Sequence, residues 1–322
     1  MNRTFQKYAK PNQMIISQWK KNLLLFFILL FILILMGSCT PRPSSKLLSD
    51  NRSPEAPVKY TQKTFSDALN RQYTQEYDPR RIVSLVPAVT EILFAIGAGD
   101  RVVGVTQQCD YPDEAKTRVS VGAFSDASVS MDRIRSLTPD LVILSADMHS
   151  GIISLLDSLD IPSFAVEPRN LSQVYDVISL IGDITGYRSG AEAEVAEMKR
   201  QISGVEKQIQ GHEPRLVFWI ISDDPLSSAG GETLVSEAIR LSGGKNIFDD
   251  LKEQWPLVSP EQVVSRKPDI IIQGNNTGSG SRGNNSFREI RTVVVSTDMF
   301  RRYGPSLADD VELLAKILHS SD

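Results

Sequence analysis

The sequence predicts an α/β protein: two Rossmann-like lobes of largely parallel sheet, joined by one long rigid helix. Three observations carry that expectation. Strand and helix patterns alternate on both sides of Ser189–Gly211. That stretch reads as a single long amphipathic helix. A segment in the first half, Ser130–Ile143 (SMDRIRSLTPDLVI), can be laid over one in the second, Ser259–Ile272 (SPEQVVSRKPDIII).

In SGAEAEVAEMKRQISGVEKQIQG, the apolar residues Ala191, Val195, Met198, Ile202, Val205 and Ile209 are spaced alternately four and three apart. The spacing puts all six on one helix face and leaves Glu, Lys, Arg and Gln on the other. Ser189 with Glu192 reads as a capping box, and Gly211 as a left-handed stop. At 1.5 Å per residue the helix is about 30 Å long, near the diameter of a small domain. Gly204 interrupts it at a cost of about 1 kcal/mol relative to Ala. Such a helix suits a strut between two lobes.

Residues 1–39 read as a lipoprotein signal peptide. Lys20 and Lys21 precede an apolar run, Leu23–Met36, that ends in Gly37, Ser38 and Cys39. The run is shorter than the ~20 residues of a spanning helix. Small residues before a cysteine resemble the bacterial lipobox, in which the cysteine is diacylated and becomes the mature N-terminus. A short uncleaved anchor is the alternative reading, and Met14 an alternative start. Residues 40–59 turn to Pro, Ser and charge and read as a flexible tether.

The N-terminal α/β lobe is expected over 60–170. Asp67–Arg71 looks like a hairpin turn, with Asn70 tolerating the left-handed conformation. Ile82–Val86 reads as a buried strand ended by Pro87, and Thr90–Ile96 as a short helix. Gly97 and Gly99 turn the chain into a strand at Val102–Val105, followed by a loop through Cys109, Asp110, Tyr111 and Pro112. Helices near Ser130–Leu137 and Ile152–Leu159 then alternate with strands at Leu141–Leu144 and Ser163–Val166, implying a parallel sheet. A helix at Leu171–Thr185 and the strut make a linking segment, 171–212.

The C-terminal lobe, 213–322, repeats this grammar. It has strands at Leu216–Ile221, Ile270–Ile272 and Val293–Val295. Helices fall at Leu234–Leu241, near Pro260–Ser265 and at Leu307–His319. Gly274–Ser286 is a polar, Gly-rich loop with no lysine ahead of a helix, so it is not a phosphate loop. Asp223 and Asp224, beside Pro225, read as turn residues.

In the repeated segments a serine placed to cap a helix is followed two residues later by an acid, Asp132 or Glu261. Pro-Asp and an apolar strand then follow at equal spacing. A second, weaker match pairs Glu91…Gly97 with Glu237…Gly243. A first-turn carboxylate gains about 0.3–1 kcal/mol from the helix dipole, which could explain either acid alone. Matching positions on two lobes suggest instead a symmetric pair of charges for a symmetric partner.

Composition narrows the function. A formal net charge of −4 gives no basic patch for nucleic acid. Two cysteines, Cys39 and Cys109, suggest no disulfide framework, and three scattered histidines suggest no resident metal. No G-x-S-x-G, G-x-x-x-x-G-K-[ST] or H-E-x-x-H motif occurs, so no catalytic residues are expected.

The run RIVSLVPAVTEILFAIGAGDRVVGVTQQCDYP (Arg81–Pro112) resembles the opening of the substrate-binding proteins of ABC importers for cobalamin, haem and iron–siderophores. VGAFSDASVSMDRIRSLTPDLVI, AGGETLVSEAIRLSGGKNIF and QWPLVSPEQVVSRKPDIII continue the resemblance, which covers roughly Tyr60 to the C-terminus. It implies two lobes on one long helix, with a ligand cleft between them. It also implies docking of the acids Asp132 and Glu261 onto arginines of the two permease transmembrane subunits.

For the ligand, the resemblance implies contacts from Tyr111, Phe124, Trp255, Asp298 and Arg302. Phe124 stands where cobalamin binders carry a tryptophan, and Ser145 replaces another. The expectation is a monomeric cell-envelope lipoprotein, lipid-anchored through Cys39 to a bacterial membrane. It would capture a corrinoid or another cobalt- or iron-containing chelate, hold no resident cofactor and bind no nucleic acid.

Iron–siderophore and haem are the rival ligands. The first would want basic groups, for which Arg302 and Arg282 suggest themselves; the second an axial Tyr or His, such as Tyr111 or His149. A tetrapyrrole- or chelate-modifying enzyme, and a receptor that hands its ligand to a sensor, are the readings from other classes.

Overall fold

In the computed structural model the described residues are 62–275, 287–297, 299–300 and 302–320, all within the unit Pro57–Asp322. Cys39, the tether, Asp298, Arg282 and residues 276–286 of the Gly-rich loop lie outside them. Strands β1 (Lys63–Ser66) and β2 (Gln72–Gln75) form an antiparallel hairpin, with Asn70 left-handed (φ 59°) in its turn.

The first lobe is a parallel sheet of β3 (Ile82–Ser84), β4 (Val102–Val105), β5 (Val119–Ser120), β6 (Leu141–Ser145) and β7 (Ser163–Val166), in the order β5-β4-β3-β6-β7. Its helices are α1 (Pro87–Ala95), α2 (Met131–Ser136) and α3 (Ser150–Ser158). Pro87, expected to end a strand, is the first residue of α1, where its missing N–H costs nothing. The hairpin covers the β7 edge: Ala68 N–H donates to Ala165 O (3.0 Å), and Ala165 N–H to Asp67 Oδ2 (3.3 Å).

Two helices, α4 (Leu171–Thr185) and α5 (Arg188–Ile209), lead to the second sheet. It comprises β8 (Arg215–Asp223), β9 (Leu226–Ser228), β10 (Gly244–Asn246), β11 (Ile270–Gly274) and β12 (Arg291–Val295). Its order is β10-β8-β11-β12, with β9 antiparallel to β8. Helices α6 (Leu234–Leu241), α7 (Pro260–Ser265) and α8 (Leu307–His319) complete it. β4-β3-β6-β7 therefore corresponds to β10-β8-β11-β12, the order that the internal repeat requires.

The repeated Pro-Asp has a structural task in both lobes. After α2 and α7 the chain turns through left-handed Thr138 (φ 43°) and Lys267 (φ 51°). The aspartate behind each proline then ties the next strand to the lobe's first strand. Asp140 accepts the N–H groups of Arg80 (2.7 Å) and Arg81 (2.9 Å), and Asp269 accepts that of Leu216 (2.7 Å).

The strut is α5. Ala191, Met198, Ile202 and Val205 are buried in one apolar cluster that also takes in Ile82 and Phe164 of the first sheet and Val217 and Ile272 of the second. Val195 and Ile209 pack against the same cluster. Gly211 is left-handed (φ 87°), as expected.

The expected Ser189–Glu192 capping box does not form. The N-cap falls two residues earlier, at Tyr187, which makes no side-chain cap bond. Left-handed Gly186 caps α4, and only Gly186 and Tyr187 separate it from α5, which leaves Ser189 inside the helix. Gly190 has its own reason: a Cβ there would stand 2.2 Å from Ile96 O at the end of α1.

Met198 sits at the centre of the strut and is 1% exposed. Met198→Ala should lower unfolding stability by about 2–5 kcal/mol, the cost of a core cavity. Urea denaturation should show an earlier midpoint with an unchanged slope, since the surface exposed on unfolding stays the same.

Candidate functional site

The cleft between the lobes encloses about 500 Å³. The N-terminal wall is the start of α1 (Val86–Ile92), with Phe124 and Met148; the facing wall carries Leu234, Trp255 and Tyr303. Trp255 is 45% exposed, in contrast to Trp219, which is buried against Phe300. The apolar lining is set by strand ends and first helical turns, which is where open α/β sheets hold ligands.

The ionic groups of the cleft are largely satisfied within the protein. Arg169 pairs with Asp147 (3.1 Å). Arg302 of the second lobe pairs with Asp110 of the first, across the cleft mouth. Glu167 accepts the Ser145 hydroxyl (2.7 Å) and the Asp147 N–H (3.3 Å). Glu232 adds a further carboxylate to the lining.

His149 is unavailable as an axial ligand, which corrects that expectation. Its ring is fully buried, edge-on to Phe124. Ser145 N–H donates to Nδ1 (3.1 Å), and Nε2–H donates to Phe124 O (2.7 Å). Both nitrogens are thus engaged in holding the cleft wall. Burial lowers the imidazole pKa, which keeps the ring neutral in this role.

Of the other expected ligand contacts, Phe124, Trp255 and Arg302 share the cleft lining. Tyr111 does not: it is 52% exposed and lines a neighbouring depression with Phe94 and Pro305. The loop carrying it presents Gln108 and, through the ion pair, Asp110 to the cleft instead. Gln108, Met148 and Tyr303 were not singled out from sequence. They carry no spacing signal, and only the return of three loops to one cavity assembles them.

Asp132 and Glu261 occupy equivalent places, the second residues of α2 and α7, and both are exposed. The preceding serines cap both helices: Arg133 N–H donates to Ser130 Oγ (3.4 Å) and Gln262 N–H to Ser259 Oγ (3.2 Å). Neither acid lines the cleft.

A family model described as periplasmic binding protein matches residues 82–293. The chain belongs to the periplasmic binding protein family. It is 30% identical over 307 residues to an ABC transporter substrate-binding lipoprotein of Bacillus subtilis, YvrC, covering 91% of this chain and 95% of that one. It is 28% identical over 234 residues to the vitamin B12-binding protein of Yersinia pestis, covering 70% and 82%.

Among solved structures of this fold is the vitamin B12-binding BtuF of Vibrio cholerae, with a TM-score of 0.64 at 24% identity over 76% of this chain and 99% of that one. The haem-binding RhuT of Roseiflexus gives 0.66 at 23% identity over 74% and 98%. These likenesses establish the two-lobed α/β architecture of the family here.

One carboxyl beside the cleft titrates in an unusual range. Glu91, on α1, is 2% exposed, and its pKa rises from 4.5 to about 7. Burial is the main cause; hydrogen bonds from Ser306 and the charge of Arg302 partly oppose it. In the folded protein Glu91 therefore keeps a proton that the unfolded chain has already released between those two values. Stability should fall as pH rises through this window and level off above it. Urea titrations across the window should show that slope, and Glu91→Gln should flatten it.

Proposed function

We propose that the protein is the substrate-binding component of an ABC importer, held at the cell envelope through acylated Cys39, and that its cargo is a corrinoid. The observation that carries this reading is the cleft lining. Aromatic and apolar side chains from both lobes face a shared space, while the nearby arginines are already paired with carboxylates. An apolar wall covers a flat macrocycle at low entropy cost. A ligand rimmed by neutral amides would leave the Arg169–Asp147 and Arg302–Asp110 pairs intact. Anionic siderophores and haem propionates would have to compete with those carboxylates for the guanidinium groups.

The names of the Bacillus and Yersinia relatives support the importer class and a corrinoid cargo, respectively. Haem is the second reading, because Tyr303 places a phenol on the cleft wall where a metal macrocycle could meet it. The proposed ligand contacts are Phe124, Trp255 and Arg302, with Gln108 standing in for Tyr111 at the loop. Nothing in this reading calls for turnover of the ligand.

Titration of the full chain in detergent with cyanocobalamin, haemin and a ferric catecholate siderophore separates these cases. Cyanocobalamin should quench tryptophan fluorescence to a one-to-one endpoint. Saturation by haemin or the siderophore alone would overturn the corrinoid assignment while keeping the binding class, and consumption of any of them would favour an enzyme. Trp255→Ala should weaken binding by about 2 kcal/mol, roughly thirty-fold, as for an aromatic hot spot.

The docking acids give a separate prediction. Because Asp132 and Glu261 are exposed and outside the cleft, reversing both charges to Lys should leave cyanocobalamin affinity unchanged. Uptake into vesicles bearing the cognate permease should be lost, since like charges facing each other at an interface cost more than a missing charge.

A further inference from the structure

Two glutamates outside the cleft lining make the same contact in opposite directions. Glu91, on α1 of the first lobe, reaches the start of α8 in the second. It accepts the backbone N–H of Ser306 on one oxygen and the Ser306 hydroxyl (3.0 Å) on the other. Glu237, on α6 of the second lobe, accepts the backbone N–H of Leu171 (2.8 Å), the first residue of α4, which continues from the first sheet.

The two contacts are equivalent under the internal repeat. α1 follows β3 and α6 follows β8, the matched first strands. Each glutamate stands six residues before a left-handed glycine, Gly97 (φ 91°) or Gly243 (φ 79°). α4 and α8 are the matched helices that follow the last strand of each sheet. The first helix of each lobe thus hands a carboxylate to the first turn of the other lobe's closing helix.

Local details fit this task. A helix start leaves N–H groups without partners, and a carboxylate there is favoured by the helix dipole. Ser306, the N-cap residue of α8, makes no cap bond of its own; its hydroxyl goes to Glu91. A Cβ at Gly304 would stand 2.8 Å from Glu91 Oε2, so the glycine admits the carboxylate. Glu237 is also held from its own helix by Arg240 (3.6 Å). The helices that carry the two acids supply the cleft walls, α1 through Ala88, Val89 and Ile92 and α6 through Leu234.

We infer that Glu91 and Glu237 form a crossed pair of latches that fixes the angle between the lobes, making them positioning residues for ligand capture. Parting the lobes breaks both contacts and leaves the acceptor oxygens of Glu91 and Glu237 and two helix-start N–H groups without their protein partners, a net loss of hydrogen bonding. Holding both gives the cleft its resting width. The inference does not depend on which ligand the cleft takes.

The test reads lobe geometry without ligand. Spin labels on Ser154→Cys of the first lobe and Ser265→Cys of the second, both exposed positions, report the interlobe distance by pulsed electron resonance in the full chain. The parent should give one narrow distribution. Glu91→Ala and Glu237→Ala should each broaden it, and the double variant should shift it to longer distances. Glu91→Gln and Glu237→Gln, which keep an acceptor oxygen, should restore the narrow distribution. Should the double variant fail to unfold cooperatively, Gly304→Ala displaces the Glu91 carboxylate without removing it and should broaden the distribution likewise. A narrow, unshifted distribution in folded alanine variants would overturn the latch.

Discussion

The burial of one face of α5 against both sheets is the contact on which the rest of the molecule depends. The buried residues of that helix belong to a cluster that continues from Ile82 and Phe164 on one side to Val217 and Ile272 on the other. A close-packed interior does not bend gradually, so the lobes cannot rotate freely about the strut without opening voids. Any change in cleft width must therefore come from small rocking about this core. The cleft is accordingly largely pre-formed, and ligand specificity rests on its lining more than on closure.

Much of this was legible in the sequence because it follows from periodicity. The four-and-three spacing of Ala191 to Ile209 predicts a buried helix face, and the structure places those residues in the shared core. The Pro-Asp repeat was also visible, though its physical meaning was not. Asp140 and Asp269 follow Asp132 and Glu261 by eight residues each, yet they fasten strands. The capping box at Ser189 failed because a helix can begin directly after another without a side-chain cap.

The site was less legible than the fold. Trp255 and Phe124 stand out by residue type, but the pairing of Arg302 with Asp110, 192 residues apart, leaves no local trace. The same holds for His149, whose ring reads as a candidate metal ligand until both nitrogens are seen to be occupied. Tyr111 shows the converse. Its Asp-Tyr-Pro context suggests a ligand contact, but the side chain lines a neighbouring depression instead. Glu91 and Glu237 were noticed only as a weak match, because a carboxylate inside a helix pattern gives no sign of what it reaches.

The hairpin at the start of the described chain bears on where the folding unit ends. The family match spans 82–293, yet β1 and β2 lie before it and α8 after it. Without the hairpin, β7 would present an open row of peptide groups, the kind of edge through which sheets of separate molecules join. The side chain of Gln75 also reaches the last turn of α4, donating to Ile184 O (2.9 Å). A fragment trimmed to the matched span would therefore lose a strand guard at one end and a core helix at the other. Self-association is the expected fate of such a fragment, and the natural minimum extends from the hairpin to His319.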